Sequence, residues 1–386
     1  MNYLKTLSIF IFVTLTGACT EAKTKGKTGL AQQTEDKKTI ESDFIQKKIT
    51  ENLYVLKSPD YNTNAGVFIG AKEILLIDPM TGMNNHQNLL NAIKGISAKP
   101  IKYVLNTHSH PDHNGANAFF ADLGAMVISH ENTKYSKGKY DVFFKDTYTI
   151  EMGNESIQLF HSIAHTFDDV LVYFKENNTV FMGDTYMTNS FPHFYYGGGS
   201  EGHLKNIDKA LSIGNAETNI IPAHGKLVSN KQELTAHRKN TVQWINRIKK
   251  LHKEGKTITE IASDNQIKEL SLVFNDGKNV SEQSIQRTIN KTTAVDLVES
   301  IGVSENTLKS YEGKYQFGDK LVAEIVYQNE KLIFRSEGSY IYEIVPVSET
   351  KFQLKGQFPY KHLTFENKNQ KVVFFNGKEN LNAKRI

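Results

Sequence analysis

The stretch Asn106-Thr107-His108-Ser109-His110-Pro111-Asp112-His113 places four potential metal ligands within six residues, directly behind the apolar run Ile101 to Leu105. A short apolar run of that kind reads as a buried strand. On an extended segment His108 and His110 share a face, because alternate residues do. Pro111 then turns the chain, which lets Asp112 and His113 address a second position. Neutral imidazoles and a carboxylate are the ligands that a borderline cation such as zinc accepts.

Further residues of the same types stand at the ends of other apolar runs. His165 lies in Ala164-His165-Thr166, followed by Asp168 and Asp169. Asp184 closes Val180-Phe181-Met182-Gly183-Asp184, and His224 follows Ile220-Ile221-Pro222-Ala223. Gly66 to Asp78 reads as a hairpin ending in Leu76-Ile77-Asp78. On these motifs residues 45–295 resemble the metallo-β-lactamase-fold hydrolases, whose hallmark is HxHxDH at a strand end.

The resemblance implies an α/β fold, an αββα sandwich with ligands at strand ends. It implies one metal on His108, His110 and His165 and a second on Asp112, His113 and His224, with Asp184 bridging. Two Zn2+ ions are expected, although the donor set alone does not separate zinc from iron or manganese. The implied activity is attack of a metal-bound hydroxide on a carbonyl (ester, thioester, lactone or amide) in a small-molecule substrate. Asp112 is the catalytic candidate, orienting the hydroxide and passing a proton to the leaving group. Asp78, at a strand end, is expected to support a ligand rather than to be one.

Three other readings stand beside this one. A metallo-β-lactamase is one, yet one zinc β-lactamase class has a cysteine roughly where Asp184 stands, and another that shares HxHxDH generally lacks the aspartate bridge. The ligand set looks more like glyoxalase II. A mononuclear-iron persulfide dioxygenase resembles the motif but uses only two histidines and the aspartate. A non-enzymatic metal-containing binding module should have lost ligands, and none is missing.

The rest of the chain fits an ordinary globular surface around that site. Its 386 residues are 39% hydrophobic, enough for a packed core, and the formal charge of +4 forms no basic stripe. Nucleic acid is therefore not an expected partner. Five of the thirteen histidines occupy ligand positions. Of the others, His161 and His130 read as strand or strand-end residues, and His86, His237, His252 and His362 as surface ones.

The N-terminus supplies an address. Lys5, the apolar stretch Leu7 to Leu15, then Thr16-Gly17-Ala18-Cys19 read as a bacterial lipoprotein signal over residues 1–19. Cys19, the only cysteine, would be the lipid anchor and attach the protein to the membrane of the cell envelope, facing the periplasm or the cell surface. Thr16 departs from the commoner leucine, and a plain secretory signal releasing the protein to the periplasm is the alternative. Residues 20–43 are polar and low in apolar groups, expected as a disordered tether reaching roughly 25–30 Å.

The catalytic part is expected over residues 44–295, with Lys231 to Lys253 as an amphipathic helix. Short alternating strands after Gly302 predict a small C-terminal all-β domain over 306–386, with the junction at Asn290 to Asn306. Tyr186 to Gly199, aromatic and jointed by three glycines, is the candidate pocket wall, with Tyr186, His193 and Tyr195 as substrate-pocket residues.

Overall fold

Strand β4 (Ile74–Ile77) shows how the fold is built: all four residues are buried, but they serve two cores. Leu75 and Ile77 face one apolar cluster, whereas Ile74 and Leu76 face another. A strand alternates its side chains between faces, so an unbroken apolar run requires cover on both.

A computed structural model supplies that cover; it describes residues 44–386 apart from 61, 81–84, 320, 339–340 and 367. The signal sequence, Cys19 and the tether lie outside the described residues. No helix among the described residues is long and apolar enough to cross a membrane.

The first sheet runs in chain order: β1 (Ile45–Lys48), β2 (Leu53–Lys57), β3 (Asn64–Ile69), β4, β5 (Ile101–Leu105), β6 (Met126–His130) and β7 (Val142–Phe144). From β4 onward the pairings are parallel. Helix α1 (His86–Ile96) makes the crossover into β5, and α2 (Pro111–Asn114) and α3 (Asn117–Asp122) lead to β6. The second sheet holds β8 (Thr147–Met152), β9 (Glu155–Ser162), β10 (Asp169–Phe174), β11 (Thr179–Phe181), β12 (Asn219–Ile221) and β13 (Ser229–Asn230). Its β11 and β12 are parallel and joined through α4 (Gly199–Ser212), while α5 (Lys231–Lys253) follows β13.

The inner faces of the two sheets share one core, with Leu75, Ile77 and Leu105 meeting Ile157, Val172 and Phe181. α1 and α3 cover the outer face of the first sheet, and α4 and α5 that of the second. The result is an αββα sandwich, as expected.

Helices α6 (Ile258–Ala262), α7 (Asn265–Phe274) and α8 (Glu282–Asp296) were not foreseen, and neither was α4. α6, α7 and α8 each open on a side-chain cap, Thr257, Asp264 and Ser281, and the first is a reciprocal cap with Glu260. Their apolar faces close around Trp244 of α5. The anticipated junction therefore begins too early, since Asn290 to Asp296 continue α8 and bury Ala294 and Val295.

After α9 (Glu305–Ser310), the strands β14 (Gly313–Phe317), β15 (Leu321–Gln328), β16 (Lys331–Ser336), β17 (Tyr342–Pro346), β18 (Lys351–Leu354), β19 (His362–Glu366), β20 (Lys371–Phe375) and β21 (Asn380–Arg385) form a closed barrel. Closure comes from antiparallel pairing of β14 with β21, such as Tyr315 with Arg385. Inward residues, among them Tyr315, Phe352 and Leu363, fill the interior.

The barrel is seated on the sandwich. Gly356 donates its backbone N–H to the carbonyl of Ala294 at 2.9 Å. It holds φ +76°, and a Cβ there would lie 1.7 Å from the carbonyl oxygen of Tyr195. Only glycine fits that contact. Ile333 and Ile341 pack on Phe167 and Tyr135, and the Arg335 guanidinium lies 5.4 Å from the Tyr135 ring centre.

Candidate metal centre

Parallel strands deliver their C-terminal ends to one edge of the sandwich, and the seven expected ligands gather there. β5 ends at Leu105 just before His108, His110, Asp112 and His113. β11 ends before Asp184, β12 before His224, and His165 lies between β9 and β10. The motif loop is held by amide pairing: Asn117 Nδ2 donates to Asn106 Oδ1 at 2.7 Å, and Asn106 Nδ2 donates to Asn117 Oδ1 at 3.2 Å. Gly183, at φ +54°, lets the Asp184 turn approach Thr107, whose Oγ1 would lie 2.9 Å from any Cβ.

The ligands fall into two groups, His108, His110, His165 and Asp184 in one and Asp112, His113 and His224 in the other. Asp184 spans them. Its Oδ2 lies 3.4 Å from His165 Nε2 and 3.9 Å from His108 Nε2. Its Oδ1 lies 3.1 Å from His224 Nε2 and 3.2 Å from His113 Nε2. Asp112 Oδ2 closes the second group, 3.3 Å from His224 Nε2 and 3.6 Å from His113 Nε2.

Neighbouring groups fix which ring nitrogens carry lone pairs. His165 donates its Nδ1–H to the carbonyl of His193 at 2.8 Å, leaving Nε2 as the lone pair. His113 Nδ1 donates to Asp78 Oδ2 at 2.9 Å, with the same effect. Asp78 is itself oriented, accepting from Thr107 N at 2.8 Å and from Thr107 Oγ1 at 2.7 Å. Burial holds the His165 imidazole neutral, its pKa lowered to about 3.

The donor set fits a metal. His110 Nδ1 lies 3.0 Å from both His108 Nε2 and His165 Nε2, a convergence of nitrogens that a cation would satisfy. His113 Nε2 and Asp184 Oδ1 are buried without a hydrogen-bond partner. Such atoms are costly unless something ligates them. Asp112 is the open side: its side chain is 26% exposed, against 8% for Asp184 and 0% for His108 and His113. Burial raises the Asp112 pKa, but His113 and His224 more than offset this and hold it at about 2.

Two of the three pocket expectations, Tyr186 and Tyr195, need correction. Tyr186 is buried at the second sheet with its hydroxyl 2.9 Å from Ser229 Oγ, and Tyr195 is buried in the α5–α8 core. Neither ring faces the ligands, because each is needed to fill a core. His193 accepts from His165 through its carbonyl and also stacks its ring on that of His165, centres 6.0 Å apart. Tyr196, not singled out from sequence, also meets the ligands, edge-on to His110 at 5.5 Å and to His165 at 5.8 Å. Lys291 of α8 donates to its hydroxyl at 2.8 Å, a contact between distant segments that no local motif announced. His237, expected at the surface, packs between Tyr186 and Phe274.

The chain is similar in sequence to several known proteins. The model of the Metallo-beta-lactamase superfamily matches residues 58–225. A metallo-beta-lactamase type 2 of Elizabethkingia meningoseptica is 27% identical over 148 residues, 35% of this chain and 59% of that protein. Metallo-beta-lactamase IND-1 of Chryseobacterium indologenes is 27% identical over 197 residues, 47% of this chain and 82% of its own. A hydroxyacylglutathione hydrolase of Pelagibacter ubique is 35% identical over 86 residues, 22% of this chain and 36% of that one. The matches thus span from about a third to four-fifths of these relatives. Among solved structures, a metallo-beta-lactamase from Pontibacter korlensis superposes with a TM-score of 0.47 at 22% identity, covering 52% of this chain and 99% of its own.

Proposed function

We propose, on the premise that residues 58–225 are a metallo-β-lactamase superfamily domain of the metal-dependent hydrolase type, that the protein is a dinuclear-zinc hydrolase of carbonyl substrates. One observation carries this reading: Asp184 presents one carboxylate oxygen to each histidine group. His108, His110 and His165 would hold one ion and Asp112, His113 and His224 the other. Bound there, the ions would supply an activated water and Lewis acidity toward a carbonyl oxygen.

The chain's own groups do the remaining work. Asp78 and the His193 carbonyl keep the His113 and His165 rings turned so that Nε2 faces inward. Asp112, the more open of the two carboxylates, is placed to hold a proton and release it to the leaving group. Tyr196 walls the site beside His110 and His165, which restricts water on that side. The relatives' names include metallo-beta-lactamases and a hydroxyacylglutathione hydrolase, and lactams and thioesters both belong in the test.

The test pairs metal analysis with a panel of chromogenic lactam, ester and thioester substrates. Two zinc ions per chain and turnover of a panel member that Asp112→Asn suppresses are expected. A single tightly held iron with no zinc would favour dioxygenase chemistry instead. We extend the proposal to location: the sequence of residues 1–19 supports lipid anchoring at Cys19 in the cell envelope.

A further inference from the structure

A cavity of about 710 Å³ lies between the sandwich and the barrel rather than at the metal ligands. That volume is within the range of small-molecule sites, which favour domain interfaces. Its floor is apolar: Phe167 and Ile341, both buried, meet Ile333 of β16. The His130 and His161 rings stack 3.5 Å apart along it, and burial holds His130 neutral, so they add a flat surface rather than charge.

The charged side chains of the cleft are unevenly matched. Five cationic groups meet four carboxylates. Glu131 is paired with Lys134 at 3.9 Å, Glu201 with Lys205 at 2.6 Å and Glu343 with Lys331 at 2.9 Å. That leaves Arg335 and Lys145 against Asp146, and neither cation is in an ion pair among the described residues. Arg335 is held in place by Tyr135 and by its Nη2 bond to Gln328 Oε1 at 2.7 Å. Its Nε is buried with no partner among the described residues. A planar carboxylate matches the guanidinium fork, which Tyr135 and Gln328 hold in position beside the cleft.

We propose that this cleft binds a small organic carboxylate with an apolar body, the carboxylate on Arg335 and Lys145 and the body against Phe167, Ile333 and Ile341. A separate small pocket of about 10 Å³ shares Asn132, Phe167 and Ile341 with the cleft and is also lined by Ser109, Thr166 and Tyr196, which adjoin the metal ligands. None of the seven candidate ligands lines the cleft, so its occupancy does not depend on the hydrolase reading.

Octanoate is the probe, titrated calorimetrically into the metal-loaded full chain, with octylamine and inorganic phosphate in parallel. One saturable octanoate site is expected. Arg335→Gln should weaken it about tenfold or more and Lys145→Gln a few-fold, as loss of charge-assisted bonds implies. The other two probes should bind at least about tenfold more weakly, since each lacks one half of the match. Because the two variants lie in different parts of the fold, misfolding of one, seen as a lowered thermal midpoint, leaves the other decisive. Three results would overturn the proposal: no saturable octanoate site; equal binding of phosphate or octylamine; or octanoate binding that ignores both substitutions and disappears with a chelator, which would put the carboxylate on the metals.

Discussion

His113 and Asp78 are joined by a 2.9 Å hydrogen bond across 35 residues of sequence, both buried, with Thr107 clamping the carboxylate from its other side. Asp78 thereby sets the direction of a ligand it precedes by a whole crossover. Asp78→Ala should lower metal affinity by about 10- to 100-fold, the usual effect of losing such a support. Competition with a chromogenic chelator measures it. Unchanged affinity would mean the ring is oriented by packing alone.

Asp112 and His161 separate chemistry from scaffold. Asp112→Asn keeps size but removes charge from the second ligand group, so turnover should fall by more than the ~10²–10⁴-fold of general acid–base loss. His161→Ala, on β9 away from the ligands, should leave turnover within a few-fold. Circular dichroism of both variants should match the parent. The reverse ranking of activities would overturn the ligand assignment.

Stability should fall on mild acidification for a reason unrelated to the metals. Burial, reinforced by the neighbouring His161, lowers the His130 pKa to about 3, and burial lowers that of His203 as well. An unfolded histidine takes up its proton near 6.5. The unfolded state therefore binds more protons below that value, and stability, complete above about pH 6.5, is lost as pH falls toward about 3. Urea midpoints of chelator-treated protein at pH 7 and pH 5 should show the decline, and His130→Gln should flatten it. A midpoint independent of pH across that interval would contradict the assignment of neutral buried rings.

Cys19→Ser tests the address. If lipid chains give the membrane affinity, that substitution should move the protein from the membrane to the soluble envelope fraction. Fractionation and immunoblotting decide it, and unchanged membrane association would rule out the lipid anchor.

The ligand-bearing strand ends were legible because residue type, order and apolar runs coincide there: His108 follows Leu105 in sequence and in space. The support from Asp78 was legible for the same reason. Facing was not. Tyr195 and Tyr196 are chemically alike neighbours, yet one fills a core and the other meets His110. Nothing in their type distinguishes them. Helices α6 to α8 carried readable signals, the caps at Thr257, Asp264 and Ser281 and the spacing of Ile285 and Ile289, which went unread beside the stronger pattern of α5. The barrel's strands were visible one by one, but its closure depends on β14 meeting β21, a pairing that no local pattern encodes.

The seat of Gly356 against Tyr195 has a consequence for how freely the two parts can vary. Tyr195 is two residues from His193, whose carbonyl orients His165. A bulkier residue at 356, or a changed length in that turn, would push on the very segment that sets a ligand's tautomer. The barrel is thus not an interchangeable appendage: grafting a different one onto this sandwich would succeed only if it reproduced a bare backbone at that contact.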